Sequence, residues 1–165
     1  MRLPRLTVAT GTAVILIDAV SKALAKRLLV SERIVHAGPL LELDLYHNHA
    51  GSGNMLTGRP VLVSVLSILA VIALAGAATR ARGRGTSIGL GLLLGGGIGN
   101  LIDRVLGAPG PLRGGVIDWL RPFNSAGSMN LADLAINLGL AVLAITAAWR
   151  WWNERRAALE LRDPG

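Results

Sequence analysis

The chain has 165 residues, 52% of them hydrophobic and only 16% charged, with a mean hydropathy of +0.51 and a net charge of +7. This make-up excludes a soluble domain of average composition and implies a single integral membrane domain. With no cysteine, disulfides, thiolate metal sites and a cysteine nucleophile are excluded together, and the basic residues are too dispersed, beside a single Tyr and a single Phe, for a nucleic-acid partner.

A hydrocarbon core of ~30 Å is crossed by about 20 apolar residues in a helix. Four segments qualify: 6–29, 60–78, 86–106 and 130–152. The first begins like a secretory signal, with "MRLPR" as a basic start and Ala23-Leu24-Ala25 as a cleavage-like triplet. Asp18 and Lys22 interrupt its apolar run, so a retained helix is expected. These two are spaced i, i+4 and can pair along one face.

The first large loop, 30–59, contains "LLELDLYHNH", where Leu41, Leu43 and Leu45 alternate with Glu42 and Asp44. A period of two describes a strand with one apolar face, and a small sheet on the outer membrane surface is expected. His47 and His49 share a face of that strand, but two histidines without a third ligand do not make a zinc site; no metal and no cofactor are expected. The polar "AGSGNMLTG" that follows reads as a flexible loop, and "RARGRG" at 80–85 as a basic linker.

In the third span Gly91, Gly95 and Gly99 recur every four residues, a small-residue row that lets a neighbouring helix approach closely. Whether that neighbour is a second copy of the chain is left open, and with it the oligomeric state. The adjacent row, Gly96, Asn100 and Arg104, stacks two polar side chains on one face. The second large loop, 107–129, carries Asp118 in "GGVIDWLRPF", which read alone caps a short interfacial helix or solvates its loop. The fourth span opens with Asn130, Asp133 and Asn137 at i, i+3 and i+7.

The basic residues set an orientation. With both termini cytoplasmic, Arg2, Arg5, Arg80, Arg82, Arg84, Arg150, Arg155, Arg156 and Arg162 lie inside, against Arg33, Arg59, Arg113 and Arg121 outside, nine to four in favour of this topology by the positive-inside rule. Trp149, Trp151 and Trp152 fit an aromatic belt at the inner interface. Three helices then bring polar groups to one leaflet. Singly, Asp18–Lys22 reads as an intrahelical ion pair, Asp103–Arg104 as a helix end, and Asn100, Asn130 and Asn137 as interhelical glue of ~0.6 kcal/mol apiece. Glue of that kind has no reason to collect at one side of the bilayer.

Two carboxylates without a thiol suggest a reaction. If Asp118 and Asp133 face each other, both cannot ionise freely, and the pair holds one proton. The ionised member then takes a proton from water as it attacks a peptide carbonyl, while the protonated member hydrogen-bonds the carbonyl oxygen.

The blocks "DAVSK", "GGGIGNLIDRV", "GGVIDWL" and "MNLADLAINLG" together resemble lipoprotein signal peptidase, the bacterial signal peptidase II family of four-helix aspartyl membrane proteases. The resemblance implies an all-α membrane fold of four transmembrane helices with a small extracytoplasmic β-sheet, in the bacterial cytoplasmic membrane. It implies Asp118 and Asp133 as the catalytic dyad, with Asn48, Asn100, Arg104 and Asn130 lining or orienting the site and Asp18 and Lys22 supporting it from the first helix. The implied substrate is a membrane-inserted prolipoprotein, cut before a diacylglyceryl-modified cysteine. The outer loops depart from the family: "NHAGSGN" matches its pattern only at Asn48, "VLGAPGPLRGG" is longer than the usual turn, and Met129 stands where Phe is common. A divergent paralogue with another substrate therefore stands beside the peptidase reading. A polar-core transporter wants carboxylates near mid-bilayer and an inverted repeat, which is not found; a scaffold accounts for the glycine row but not for the two aspartates. A Ser21-Lys22 pair has poor geometry, since adjacent helical residues point about 100° apart.

Overall fold

The computed structural model describes residues 4–29, 34–51, 56–122, 125 and 127–160. The arginines at 2, 33 and 162, the centre of the polar loop at 52–55, and Phe123, Asn124 and Ala126 lie outside the described residues. The elements run α1 (Arg5–Leu28), β1 (Val35–His36), β2 (Leu41–Asn48), α2 (Pro60–Ala78), α3 (Arg84–Leu106), β3 (Val116–Pro122) and α4 (Leu131–Glu160). All four helices are long and apolar enough to cross a membrane, and they fall on the four expected spans. Pro60 opens α2 at the position where a missing N–H costs nothing.

Helix α3 is the centre of the bundle and packs against α1, α4 and α2. Its glycines decide this. A Cβ on Gly95 would lie 2.7 Å from the Gly11 carbonyl oxygen, and one on Gly91 2.8 Å from the Thr7 carbonyl, so the 91/95/99 row is taken by α1 of the same chain. A second row meets α4: a Cβ on Gly96 would crowd the Ala132 carbonyl at 2.5 Å, and Gly139 would meet the Gly89 carbonyl at 2.9 Å. Close backbone approach on both sides lets side chains from α1 and α4 reach across α3. Away from this seam Leu16, Ile17, Val20, Leu69, Ile72 and Ile145 are exposed, as lipid-facing surface requires. At one end Ala78, Leu90 and Leu94 form a buried cluster with Leu74 and Leu143 against it.

The strands form one antiparallel sheet in the order β1-β2-β3, with Tyr46 opposite Asp118 and Asn48 opposite Val116. The sheet differs from the expected one in two respects. Asp118 sits on a strand rather than on an interfacial helix or loop, because β2 supplies the edge on which Val116–Pro122 pairs. The alternation of β2 is also interrupted by a register shift between Leu43 and Tyr46. Glu42 is buried while Leu41, Leu43 and Leu45 are half-buried, its carboxylate lying 3.7 Å from Arg121 and 3.4 Å from His36. Helix α4 runs to Glu160, eight residues past the expected limit of 152, because Asn153–Leu159 contains no Gly or Pro to stop it.

Candidate active site

The site is assembled at the start of α4. Asn130 accepts the Asp133 N–H on its side-chain oxygen at 3.0 Å, and Asp133 Oδ2 accepts the Asn130 N–H at 3.2 Å. This reciprocal capping box satisfies two of the helix's orphan donors and fixes the Asp133 side chain. Its other oxygen, Oδ1, accepts from Asn100 Nδ2 at 2.8 Å.

The orientation of Asn100 is set from behind. Its Oδ1 accepts from Lys22 Nζ at 3.0 Å and from Asn130 Nδ2 at 3.1 Å. An ammonium group only donates, so the amide oxygen must face Lys22 and the NH₂ must face Asp133. Lys22 is itself held by Asp18 at 2.7 Å and Asp103 at 2.8 Å. Asp18, 1% exposed, also accepts the Ala132 N–H at 3.0 Å, and a Cβ on Gly99 would sit 2.7 Å from its carboxylate. One buried ion cluster thus ties α1, α3 and α4 together.

Asp118 is 1% exposed. Its Oδ1 accepts from Asn130 Nδ2 at 2.6 Å and its Oδ2 from Asn48 Nδ2 at 3.0 Å. Asn48 is oriented as firmly as Asn100, because its Oδ1 takes the N–H groups of Ala50 and Gly51 at 3.1 and 3.0 Å, which leaves its NH₂ for the carboxylate. Burial first, and the charge of Asp133 second, push the Asp118 carboxyl up to about 7, against the opposing pull of Asn48, Asn130 and Lys22.

Asp118 and Asp133 line one cavity of about 360 Å³, with Asn48, Asn100, Arg104 and Asn137 on its wall. Met129, Ser128 and Ile136 complete the side toward α4. Arg104 is buried, donates to the Asn48 carbonyl at 3.4 Å, and keeps an Nε without a partner among the described residues. All eight expected site residues therefore meet in a continuous set of contacts around this cavity. Asp103 joins them: the sequence suggested only a helix end, yet its carboxylate takes Lys22 and the Ile117 N–H at 3.3 Å, anchoring the residue before Asp118. The signal was available in its spacing, since Asp103 follows Gly99 by one turn on the face toward Lys22. His47 and His49 stay outside the cavity, and His49 Nδ1 lies 3.1 Å from the Arg113 carbonyl. Ser21 donates to the Asp18 carbonyl at 2.8 Å and is no nucleophile for Lys22 to activate.

Comparison with known proteins gives the family and the fold. The family described as Signal peptidase (SPase) II matches residues 10–149. A lipoprotein signal peptidase of Mycobacterium avium is 32% identical over 96% of this chain and 90% of its own length. One of Bifidobacterium longum subsp. infantis is 35% identical over 82% of this chain and 74% of its own. The fold is similar to that of a bacterial membrane enzyme solved by the in meso method at 2.3 Å, with a TM-score of 0.78 and 21% identity over 89% of this chain and 90% of that one.

Proposed function

The chain belongs to the signal peptidase II family, and from that membership we propose that it is a bacterial membrane endopeptidase that removes signal peptides from prolipoproteins, with Asp118 and Asp133 as its catalytic dyad. The observation that carries the reading is that one residue, Asn130, contacts both carboxylates where they line a single cavity.

In this mechanism Asp118 holds the shared proton near neutral pH and Asp133 serves as the base. Asp133 takes a proton from a water as its oxygen bonds to the scissile carbonyl carbon. Asp118 donates its hydrogen bond to the carbonyl oxygen and stabilises the charge that develops there. When the tetrahedral intermediate collapses, the C–N bond breaks and the proton held by Asp133 passes to the leaving amine. Asn48 and Asn130 keep Asp118 turned toward the cavity, and Asn100, fixed by Lys22, does the same for Asp133. Arg104 supports the substrate with its unused donor capacity on the cavity wall.

Substrate enters as a helix already in the membrane, cut before a diacylglyceryl-modified cysteine, with the dyad at the extracytoplasmic surface and both termini cytoplasmic. The excess of arginine beyond the far ends of the spans supports that orientation. The test is cleavage of a prolipoprotein by D118N and D133N in membranes. Each change is expected to lower the rate by about 10²–10⁴-fold, the range for a positioned acid or base, with the unfolding transition preserved. Retained cleavage in either variant rejects the dyad.

A further inference from the structure

The end of the molecule remote from the dyad carries charge of the opposite kind. Helix α4 has 30 residues and is about 45 Å long at 1.5 Å per residue, some 15 Å more than the hydrocarbon it crosses. With Leu131 beside the cavity at one boundary, its last turns emerge from the other. There Trp149, Trp151 and Trp152 are 65%, 52% and 55% exposed. Arg155 stacks over the Trp151 ring at 4.4 Å and Arg156 over the Trp152 ring at 6.0 Å.

Arg150 donates to the Arg82 carbonyl, so the end of α4 is fastened to the turn before α3, where Arg80, Arg82 and Arg84 are exposed. That turn adds the positive end of the α3 dipole, since Gly83 gives no side-chain cap and the first turn holds no acidic residue. Among the described side chains, which end at Leu159, none of these arginines has a carboxylate within 4.0 Å; the ion pairs gather at the dyad end.

We propose that Arg82, Arg150, Arg155 and Arg156, with Trp151 and Trp152, form a site for the phosphate-bearing headgroups of anionic phospholipids. A guanidinium stacked on an indole uses its face and leaves its in-plane N–H groups free, and those form the fork that fits a phosphate. The tryptophans select a lipid over a soluble anion or a nucleic acid, because an amphipathic indole at a helix's exit from the bilayer rests among headgroups.

The test compares the full chain in nanodiscs of phosphatidylcholine alone and of phosphatidylcholine with phosphatidylglycerol. The unfolding midpoint is expected to be higher by about 2–4 °C with the anionic lipid, and the gain is expected to disappear in R155Q/R156Q and to persist only in part in R155K/R156K. Peptidase activity of the glutamine variant in phosphatidylcholine discs stays that of the parent and shows that it folds. Equal midpoints of the parent chain in the two discs, or a gain undiminished in R155Q/R156Q, overturn the proposal. A gain reproduced by inorganic phosphate in phosphatidylcholine discs also overturns it, since the site then takes the free ion.

Discussion

The two ends of this molecule carry charge in opposite ways. At the dyad end Asp18, Lys22, Asp103, Arg104 and Asp118 point inward and are mostly buried; the first three hold one another, Asp118 is held by Asn48 and Asn130, and Arg104 reaches the Asn48 carbonyl. At the far end Arg82, Arg84, Arg150, Arg155 and Arg156 are exposed and have no acidic partner among the described side chains, which end at Leu159. Burial is what separates them. A desolvated charge is tolerated only when its partners are fixed, so the dyad end is rigid and specific. An exposed arginine keeps much of its water even when stacked on an indole or bonded to a carbonyl, so each one at the far end is individually dispensable.

That contrast breaks most directly at Lys22. K22M leaves Asp18 and Asp103 buried without their cation, and a loss of about 3–5 kcal/mol is expected, read as a lowered unfolding midpoint in detergent. In the D18N/K22M double variant part of that loss should return, because the contacting residues couple. A K22M protein as stable as the parent would mean that the inward charges are no more critical than the outward ones.

The glycine seam is the next most sensitive element. G95A puts a methyl group against the Gly11 carbonyl and Val14, and α1 must retreat, at a cost of ~1–3 kcal/mol. Because α1 carries Lys22, cleavage should fall together with stability. G76A, where a Cβ meets nothing within 4 Å, serves as the matched control and should change neither.

The pH dependence sharpens the comparison further. In the proposed mechanism Asp118 must be protonated to polarise the substrate carbonyl, so cleavage is expected to fall about tenfold per pH unit above about 7. Stability follows the same direction. Asp118 is harder to ionise in the fold than in the unfolded chain, so its contribution is fully present below the ordinary value of 3.8 and is lost as pH rises through about 7. The unfolding midpoint of D118N should lack this decline, and a parent protein whose activity is flat across that range contradicts the shared proton.

The smallest effect belongs to the far end. In phosphatidylcholine, R155Q/R156Q should change stability by less than ~0.5 kcal/mol per site and leave the cleavage rate untouched. A loss comparable to that of K22M would show that the two ends do not differ in kind.

Much of the dyad end was legible before any coordinates. Asn130 and Asp133 stood out by their i, i+3 spacing at the opening of the fourth span, although the reciprocal cap they form was shown only by the structure. Asp18 and Lys22 pair because i and i+4 share a helix face. Asp118 was harder. Nothing near "GGVIDWLRPF" specifies a strand, because its partner β2 lies about 70 residues earlier and tertiary pairing overrides local preference. Glu42 misled the reading of β2 for the same reason, since Arg121, which draws it inward, comes from β3.

By itself the sequence determined the four spans, the polar and glycine rows on their faces, and, through the combined blocks, the family. These are consequences of helical period and of the length of apolar runs, both of which are local. Only the tertiary structure decided that α1 takes the glycine row, that Asp103 joins the ion cluster, and that Asp118 is delivered by a strand. Periodicity says which side chains share a face, but the choice of neighbour for that face is made by close packing between segments far apart in the chain.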